Sequence, residues 1–364
     1  MIGKILGVSP AISLSGDYQT ARQAFLIAAQ NGGASVTSFP HPLTGLNGEP
    51  LAVDVAELGS FDAEQTVLIV TGTHGVAGYC GSALQIEWLT KYSQDRPDDT
   101  RVIMVHGLNP FGFSWMRLAN EDNVDLSHNF INWSEAPPMN TDYQEIAHLV
   151  LPTRFTEAVQ QRTLDELFAF IGHWGMERFQ AAVSSAQFTH PTGLFYGGTG
   201  AVWSHRWLRD WAPTVLRDVQ YLTILELYTG LGSWGVGELI SPRPRDHIQF
   251  QRATQKWGEV RSSVDGDSVS ANITGDWLTA TSELFPSAEV TAVALEFGTV
   301  DIVTVFLALR ADAWMHAHGD PTGPYAQQVR SQVRAAFADD DPKWIATCWQ
   351  RFHQVMNGAL APST

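Results

Sequence analysis

The chain has 364 residues, a formal net charge of −16 at pH 7, and 44% hydrophobic against 16% charged residues. This composition supplies ample apolar material for a core and argues against an intrinsically disordered chain. The negative charge opposes binding to nucleic acids and to anionic membrane surfaces, and the sequence contains no basic patch that would offset it. We therefore expect neither nucleic acid nor membrane as a partner.

Two features bear on the cellular setting. Cys80 and Cys348 are too few for a disulfide framework and lack the paired spacing of a structural zinc site, so a reducing, cytoplasmic setting is expected. Residues 1–16 hold only a short, interrupted apolar run, and we expect them to belong to the mature chain. No stretch approaches the roughly 20 apolar residues of a membrane-spanning helix.

The elements are predicted in the order helix, strand, helix, strand, a helical middle, two further strands and a helical end. Buried strands are predicted for four short aliphatic runs, at 66–71, 101–106, 221–228 and 290–297. Helices are predicted at 82–92, 142–151, 152–187 with a break near Gly172 and Gly175, 301–318 and 325–358. This alternation predicts an α/β fold, with a mixed, largely parallel central sheet covered by helices on both faces, in a single domain spanning 1–364.

The segment 67–81, VLIVTGTHGVAGYCG, carries the strongest functional signal. An apolar strand runs there into a glycine-rich turn that contains His74. Turns at the carboxyl ends of strands are where open α/β folds build their active sites. The segment therefore predicts a site around His74.

Six stretches carry a resemblance that spans most of the chain: DYQTARQAF at 17–25, TGTHGVAGYCGSALQ at 71–85, VHGLNPFGFSWMRLANEDNVDL at 105–126, THPTGLFYGG at 189–198, LYTGLGSWGVGE at 227–238 and LEFGT at 295–299. Together they resemble the carboxypeptidase A-like zinc peptidases, in a poorly characterised bacterial branch. The resemblance implies a zinc-carboxypeptidase-like sandwich and hydrolysis of an amide or peptide bond by a zinc-bound water.

The ligand positions depart from the pattern that this resemblance implies. The family holds zinc with an H-x-x-E pair and a later histidine; here these positions are His74, Ala77 and Tyr228. A methyl group cannot coordinate zinc, and a neutral phenol is a poor ligand beside an imidazole. The family's Asn-Arg pair, which helps to hold a substrate carboxylate, is replaced by Ser127 and His128 in DLSHNF.

Other parts of the implied site are present. Glu296 in LEFGT matches the general base, and burial beside an apolar strand would raise its pKa. Arg117 in WMRLAN matches a cation that polarises the scissile carbonyl. We assign both residues catalytic roles. Without the resemblance, the simpler interpretation is that Glu296 is a capping or salt-bridge residue and that Arg117 is a solvated surface residue.

Three residues are candidates for substrate binding: His128, Tyr228 and Trp234, the last between glycines in the loop GLGSWGVG. A remodelled metal site of His74, His128 and Glu226 is a further hypothesis. Glu226 lies two residues before Tyr228, so their side chains share one face of the strand.

Two other residues have weaker claims to chemistry. His106 in VHGLNP is the next candidate ligand, although a hydrogen-bonded residue at a strand end is the simpler interpretation. Cys80 at a helix start would have a lowered thiol pKa if exposed there, but a small packed residue is the favoured interpretation.

These observations predict a zinc-carboxypeptidase-like hydrolase-fold protein that acts on or binds a small amide- or peptide-like ligand, with ordinary zinc-dependent activity weak or lost. Zinc is the candidate cofactor, and the changed ligands argue against it. Two alternatives stay open: an active metal-dependent amide or peptide hydrolase with a remodelled site, and a non-catalytic pseudo-enzyme that binds a ligand or a protein.

Overall fold

The computed structural model describes residues 12–362, so the expectation for the N-terminal segment lies, for residues 1–11, outside the described residues. Eight strands in this part form one sheet, in the order β1-β2-β4-β3-β5-β8-β6-β7. Their bounds are β1 Ser35–Thr44, β2 Pro50–Leu58, β3 Gln65–Thr71, β4 Thr100–His106, β5 Tyr221–Trp234, β6 Gly237–Ser241, β7 Arg261–Ser262 and β8 Glu289–Gly298.

The centre of the sheet is parallel and its margins are antiparallel. Strands β4, β3, β5 and β8 run in one direction side by side. On one side β2 and β1 are added antiparallel, and on the other side β6 pairs antiparallel with β8. The predicted mixed, largely parallel sheet is confirmed, and all four predicted strands belong to its parallel centre.

Twelve helices lie in the described part of the chain. Their bounds are α1 Tyr18–Asn31, α2 Gly78–Lys91, α3 Pro110–Trp115, α4 Thr141–Val150, α5 Glu157–Trp174, α6 Met176–Ser184, α7 Trp203–Val215, α8 Ile248–Trp257, α9 Trp277–Leu284, α10 Ile302–His318, α11 Pro324–Phe337 and α12 Pro342–Leu360. None of them is both long and apolar enough to cross a membrane.

Alternate residues of the central strands face opposite layers of helices, as the period of two in a strand requires. Val67 and Ile69 pack in one cluster with residues of α1, α2, α8 and α12. Leu68 and Val70 pack in another cluster with residues of α7 and α9. Helices therefore cover both faces of the sheet, as predicted.

A third cluster of buried residues joins α4, α5, α6, α10 and α11. The predicted break in the long middle helix is found at Gly175, whose φ of +87° ends α5 and precedes α6. The order of elements needs correction at two places, because neither the hairpin of β1 and β2 nor the elements β6, α8, β7 and α9 between β5 and β8 were predicted. Strand β1 is largely exposed and contains Pro40, so it lacks the apolar run that marked the central strands.

Candidate functional site

The turn after β3 holds His74 in a fixed position. Gly72 has a φ of +81°, and a Cβ there would lie 2.9 Å from the Cα of Gly107. A Cβ on Gly75 would lie 2.3 Å from the carbonyl oxygen of Arg117. Only glycine fits at these close approaches, and this explains the glycines on either side of the Thr-His pair.

His74 is held by two neighbours from the loop before α4. Its Nε2 lies 3.0 Å from Asp125 Oδ1 and 2.6 Å from Ser127 Oγ, and its ring stacks on Tyr228 with centroids 4.8 Å apart. Ser127 donates its hydroxyl hydrogen bond to Asp125 at 2.7 Å. A Ser-His-Asp relay uses both ring nitrogens, whereas here one nitrogen meets both oxygens. The arrangement is therefore an ion pair with a bridging hydroxyl and does not make Ser127 a nucleophile.

Burial and neighbouring charges shift the pKa values of His74, Asp125 and His128. Burial alone lowers the pKa of His74, but the carboxylates of Asp125, Glu226 and Glu296 outweigh it and raise the pKa. Burial raises the pKa of Asp125, but His74 and His128 outweigh it and hold the pKa well below its usual range. At neutral pH, Asp125 is thus a carboxylate, and its pairing with His74 favours the charged form of that ring. Burial lowers the pKa of His128, so that ring is neutral.

Glu296 lies beside this pair, on the strand next to Tyr228. The end of β5 bulges over the end of β8, with positive φ angles at Gly230 and Gly232, and this brings the amide of Leu231 to donate a 2.9 Å hydrogen bond to Glu296 Oε1. Burial raises the pKa of Glu296 to about 7, with the amide and His74 acting in the opposite direction. A carboxyl group of this kind exchanges a proton near neutrality, as a general base must.

Behind Tyr228, the same face of the sheet carries a group of buried acids. Glu226 accepts hydrogen bonds from Thr73 and from Trp277, and burial raises its pKa. Asp276 caps α9, and burial together with Glu226 raises its pKa to about 8. Burial and Glu226 also raise the pKa of Tyr228, so this phenol stays neutral. These groups lie beneath the His74 site, and the raised pKa values of Glu226 and Asp276 favour their protonated forms.

A cavity of about 170 Å³ opens above these residues. Its floor contains His74, Asp125, Ser127, His128, Tyr228 and Glu296. Its wall is apolar and comes from three helices, α5, α6 and α10, with the side chains Leu164, Leu167, Phe168, Ile171, Phe179, Val183, Val305, Phe306 and Leu309. The site thus joins a polar floor at the strand ends to an apolar wall of helices.

Besides Glu226, which lies behind Tyr228, two sequence-predicted site residues lie outside this cavity. Arg117 is buried, and its Nε donates to Asp312 at 2.9 Å while its Nη2 donates to Asn123 at 2.8 Å. Trp234 is 45% exposed and donates its Nε1 hydrogen bond to Asp339. The cation of Arg117 is therefore engaged in a buried ion pair, and Trp234 packs at the surface beyond the bulge of β5.

The donors at the floor are arranged around hydrogen bonds and an ion pair, and not around a common metal position. The Nε2 of His74 is engaged by Asp125, and the Nδ1 of His128 lies 3.1 Å from the carbonyl oxygen of Thr274. Glu226 is directed to Thr73 and Trp277. No group of three or more His, Cys, Asp or Glu side chains in residues 12–362 is arranged to hold a metal ion. The hypothesis of a site built from His74, His128 and Glu226 stays a prediction: no such cluster is formed within residues 12–362, although Oε2 of Glu226 has no hydrogen-bond partner.

Sequence reasoning missed Asp125 and Asp276. Asp125 begins the DLSHNF segment, and its spacing of two residues from Ser127 is the signal that could have found it, because an Asx turn reaches two residues ahead. Asp276 follows a glycine and caps a helix, which is the ordinary role of such a residue. The fold alone brings it beside Glu226. The two other weak candidates are both buried: His106 lies against Ser82, and Cys80 lies in the core as a free thiol.

The architecture and the cleft define an α/β protein with a cavity at the carboxyl ends of parallel strands, polar at its floor and apolar along its wall. The chain belongs to the family described as protein of unknown function (DUF2817), whose model matches residues 14–351. No curated protein matches the chain.

Several solved structures are similar to the chain. A putative metallopeptidase from Shewanella amazonensis SB2B has 13% identity and a TM-score of 0.44, over 85% of this chain and 94% of its own. The carboxypeptidase A of Helicoverpa armigera has 13% identity and a TM-score of 0.49, over 92% and 78%. A putative succinylglutamate desuccinylase/aspartoacylase family protein from Shewanella amazonensis SB2B has 16% identity and a TM-score of 0.37, over 76% and 72%. The predicted resemblance to carboxypeptidase A-like proteins is thus found again among solved structures.

Proposed function

We propose that this protein binds a small amide- or peptide-like ligand in the cavity above His74, and that ordinary zinc-dependent hydrolysis is weak or lost. The observation that carries the proposal is the cavity itself, in which an apolar wall leads to a polar floor with an ion pair and a buried glutamate. Apolar pockets with a few convergent polar groups are the usual form of a small-molecule site.

The loss of zinc-dependent activity rests on the ligand positions. Ala77 is buried and has no donor atom, Tyr228 stays a neutral phenol, and the Nε2 of His74 is held by Asp125. A catalytic zinc site needs three protein ligands that converge on one point. We propose accordingly that zinc is not a resident cofactor.

The setting is proposed on separate grounds. Both cysteines are free and buried, in keeping with a reducing, cytoplasmic location. The net charge of −16 supports a small molecule, rather than a nucleic acid or an anionic membrane, as the binding partner.

Calorimetric titration tests the ligand proposal with two amides that carry a phenyl side chain, L-phenylalaninamide and N-acetyl-L-phenylalaninamide. An apolar cavity of about 150 Å³ holds one benzene ring, so a phenyl group suits a cavity of about 170 Å³. Val183→Phe places a ring in the wall and should abolish binding. The control is Val264→Phe, at an exposed loop position, which should leave binding unchanged. Failure of both amides to bind the wild-type protein would refute the proposal.

Zinc titration tests the second part. The wild-type protein should take up no tightly bound zinc after dialysis. The double variant Ala77→Glu, Tyr228→His should bind zinc more than about 100-fold more tightly than wild type. Residues that only hydrogen-bond to a metal ligand change the affinity by up to about 100-fold, so a larger gain indicates new ligands. One tightly bound zinc per wild-type chain, measured by elemental analysis, would show that the proposal is wrong.

Hydrolysis of the bound amide is a second candidate function. The observation in its favour is Glu296, a cavity residue whose pKa of about 7 suits a general base at neutral pH. Release of ammonia from either amide, lost in Glu296→Gln and insensitive to chelators, would establish it. Binding without turnover leaves the pseudo-enzyme as the correct description.

A further inference from the structure

The charges that line the cavity are unbalanced. Two carboxyl groups, on Asp125 and Glu296, line it, and no lysine or arginine does so in the part of the chain that the structure describes. His74 is paired with Asp125, and the ring of His128, whose pKa is lowered by burial, lies 3.6 Å from the other oxygen of that carboxylate. The floor therefore holds one compensated ion pair and one further carboxyl group.

That further carboxyl group is incompletely hydrogen-bonded. Glu296 is 7% exposed, and its Oε1 accepts the hydrogen bond from Leu231. Its Oε2 has no hydrogen-bond partner within residues 12–362, and no salt bridge to Glu296 is formed there. Because Glu296 lines the cavity and its Oε2 is not among the fully buried unpartnered atoms, a ligand can donate to this oxygen, and a positively charged donor stabilises it most.

A carboxylate on the ligand would be unfavourable at this floor. It would be buried beside Asp125 and Glu296 with no free cation to compensate it, and burying an uncompensated charge is strongly unfavourable. The same floor that disfavours an anion has a place for a cation next to Glu296.

We infer that the ligand carries a free amino group, which binds at Glu296, together with an apolar group that fills the cavity. The chemical class is an amine with an aromatic or short aliphatic side chain and no carboxylate, such as the amide of an apolar amino acid. This inference rests on the proposed function and adds the charge of the ligand to it. The apolar group is matched by the wall and the ammonium group by the floor.

Three probes with the same phenyl group separate these contributions at pH 7: L-phenylalaninamide, N-acetyl-L-phenylalaninamide and 3-phenylpropanoate. Calorimetry should show the free amine binding at least about tenfold more tightly than the acetylated amide, a difference of about 1.4 kcal/mol. The carboxylate should bind most weakly of the three. Tighter binding of the carboxylate, or equal binding of the acetylated amide, would overturn the inference and leave the proposed function intact.

The variant Glu296→Gln locates the amine. It should reduce the preference for the free amine to about one while the acetylated amide keeps its affinity, since the glutamine preserves the shape of the site but not its charge. The control is Glu289→Gln at the other end of β8, where Glu289 pairs with Arg252, and this variant should keep the preference. A preference that survives in a folded Glu296→Gln protein contradicts the inference. If that variant does not fold, the wild-type comparison of the three probes decides alone.

Discussion

Two histidines at the ends of neighbouring parallel strands have opposite properties. His74 follows β3 and His106 ends β4; each contacts a serine hydroxyl, at 2.6 Å from Ser127 and 2.8 Å from Ser82 respectively. Each also stacks on an aromatic ring. Yet the pKa of His74 is raised, whereas burial lowers that of His106 to about 4.

The difference lies in one carboxylate. Asp125 lies 3.0 Å from His74, whereas the Asp54 carboxylate, which acts on His106 from further away, is already paired with Arg22. Position at a strand end, a hydroxyl partner and aromatic stacking are common to both rings, so none of them sets the charge. The pKa of a buried histidine is raised only where nearby carboxylates outweigh the effect of burial.

Removal of that carboxylate should have the largest effect. In Asp125→Asn the buried ion pair is lost, and we expect a loss of about 3 kcal/mol in the free energy of unfolding, at the low end for buried pairs because His74 can release its proton. The pKa of His74, followed by NMR, should fall below 6.5. The control is Asp142→Asn, which breaks the surface pair with Arg178 and should cost less than about 1 kcal/mol. An unchanged His74 pKa would remove Asp125 as the cause.

The second prediction concerns His106 and acid. A folded-state pKa of about 4 against about 6.5 in the unfolded chain means that the unfolded state binds the proton first as the pH falls. Stability should therefore decline between pH 6.5 and 4, by about 3 kcal/mol from this residue. Urea unfolding at pH 7 and pH 4 should show a smaller decline in His106→Gln, and no change in decline in the exposed control His173→Gln. A variant as acid-sensitive as wild type would contradict the assignment.

The two serines should matter least, and about equally. Ser127→Ala and Ser82→Ala each remove one hydrogen-bond partner of a ring, so each should lower the free energy of unfolding by about 1 kcal/mol. Neither substitution should reverse the direction of its histidine's pKa shift. A His74 pKa that fell in Ser127→Ala as far as in Asp125→Asn would mean that the hydroxyl, and not the carboxylate, controls the charge.

The sequence allowed the parallel centre of the sheet to be predicted, because its strands are continuous apolar runs that end at glycines. The run at 67–71 located His74. The resemblance to zinc carboxypeptidases placed Tyr228 and Glu296 at the same site. The hairpin of β1 and β2 escaped prediction because an exposed edge strand has no comparable run.

The other contacts of the site join residues that are far apart in the sequence, and no local sequence pattern predicts such contacts. Arg117 has the residue type of a catalytic cation, but its partner Asp312 comes from α10, 195 positions away. Asp276 acquires its raised pKa from Glu226 on a different element. The apolar wall was also not predicted. The helices α5 and α6 are amphipathic, as ordinary surface helices are, and only the fold shows that they lie over the floor.

Because wall and floor come from different elements, residues of the wall can be substituted without changing the floor. The floor belongs to the strand ends and to one loop, whereas α5 and α6 form a continuous stretch, broken only at Gly175, that contributes no floor residue. Substitutions in residues 157–184 should therefore change the apolar part of ligand recognition while the ion pair and Glu296 are kept, with α10 supplying the remainder of the helical wall.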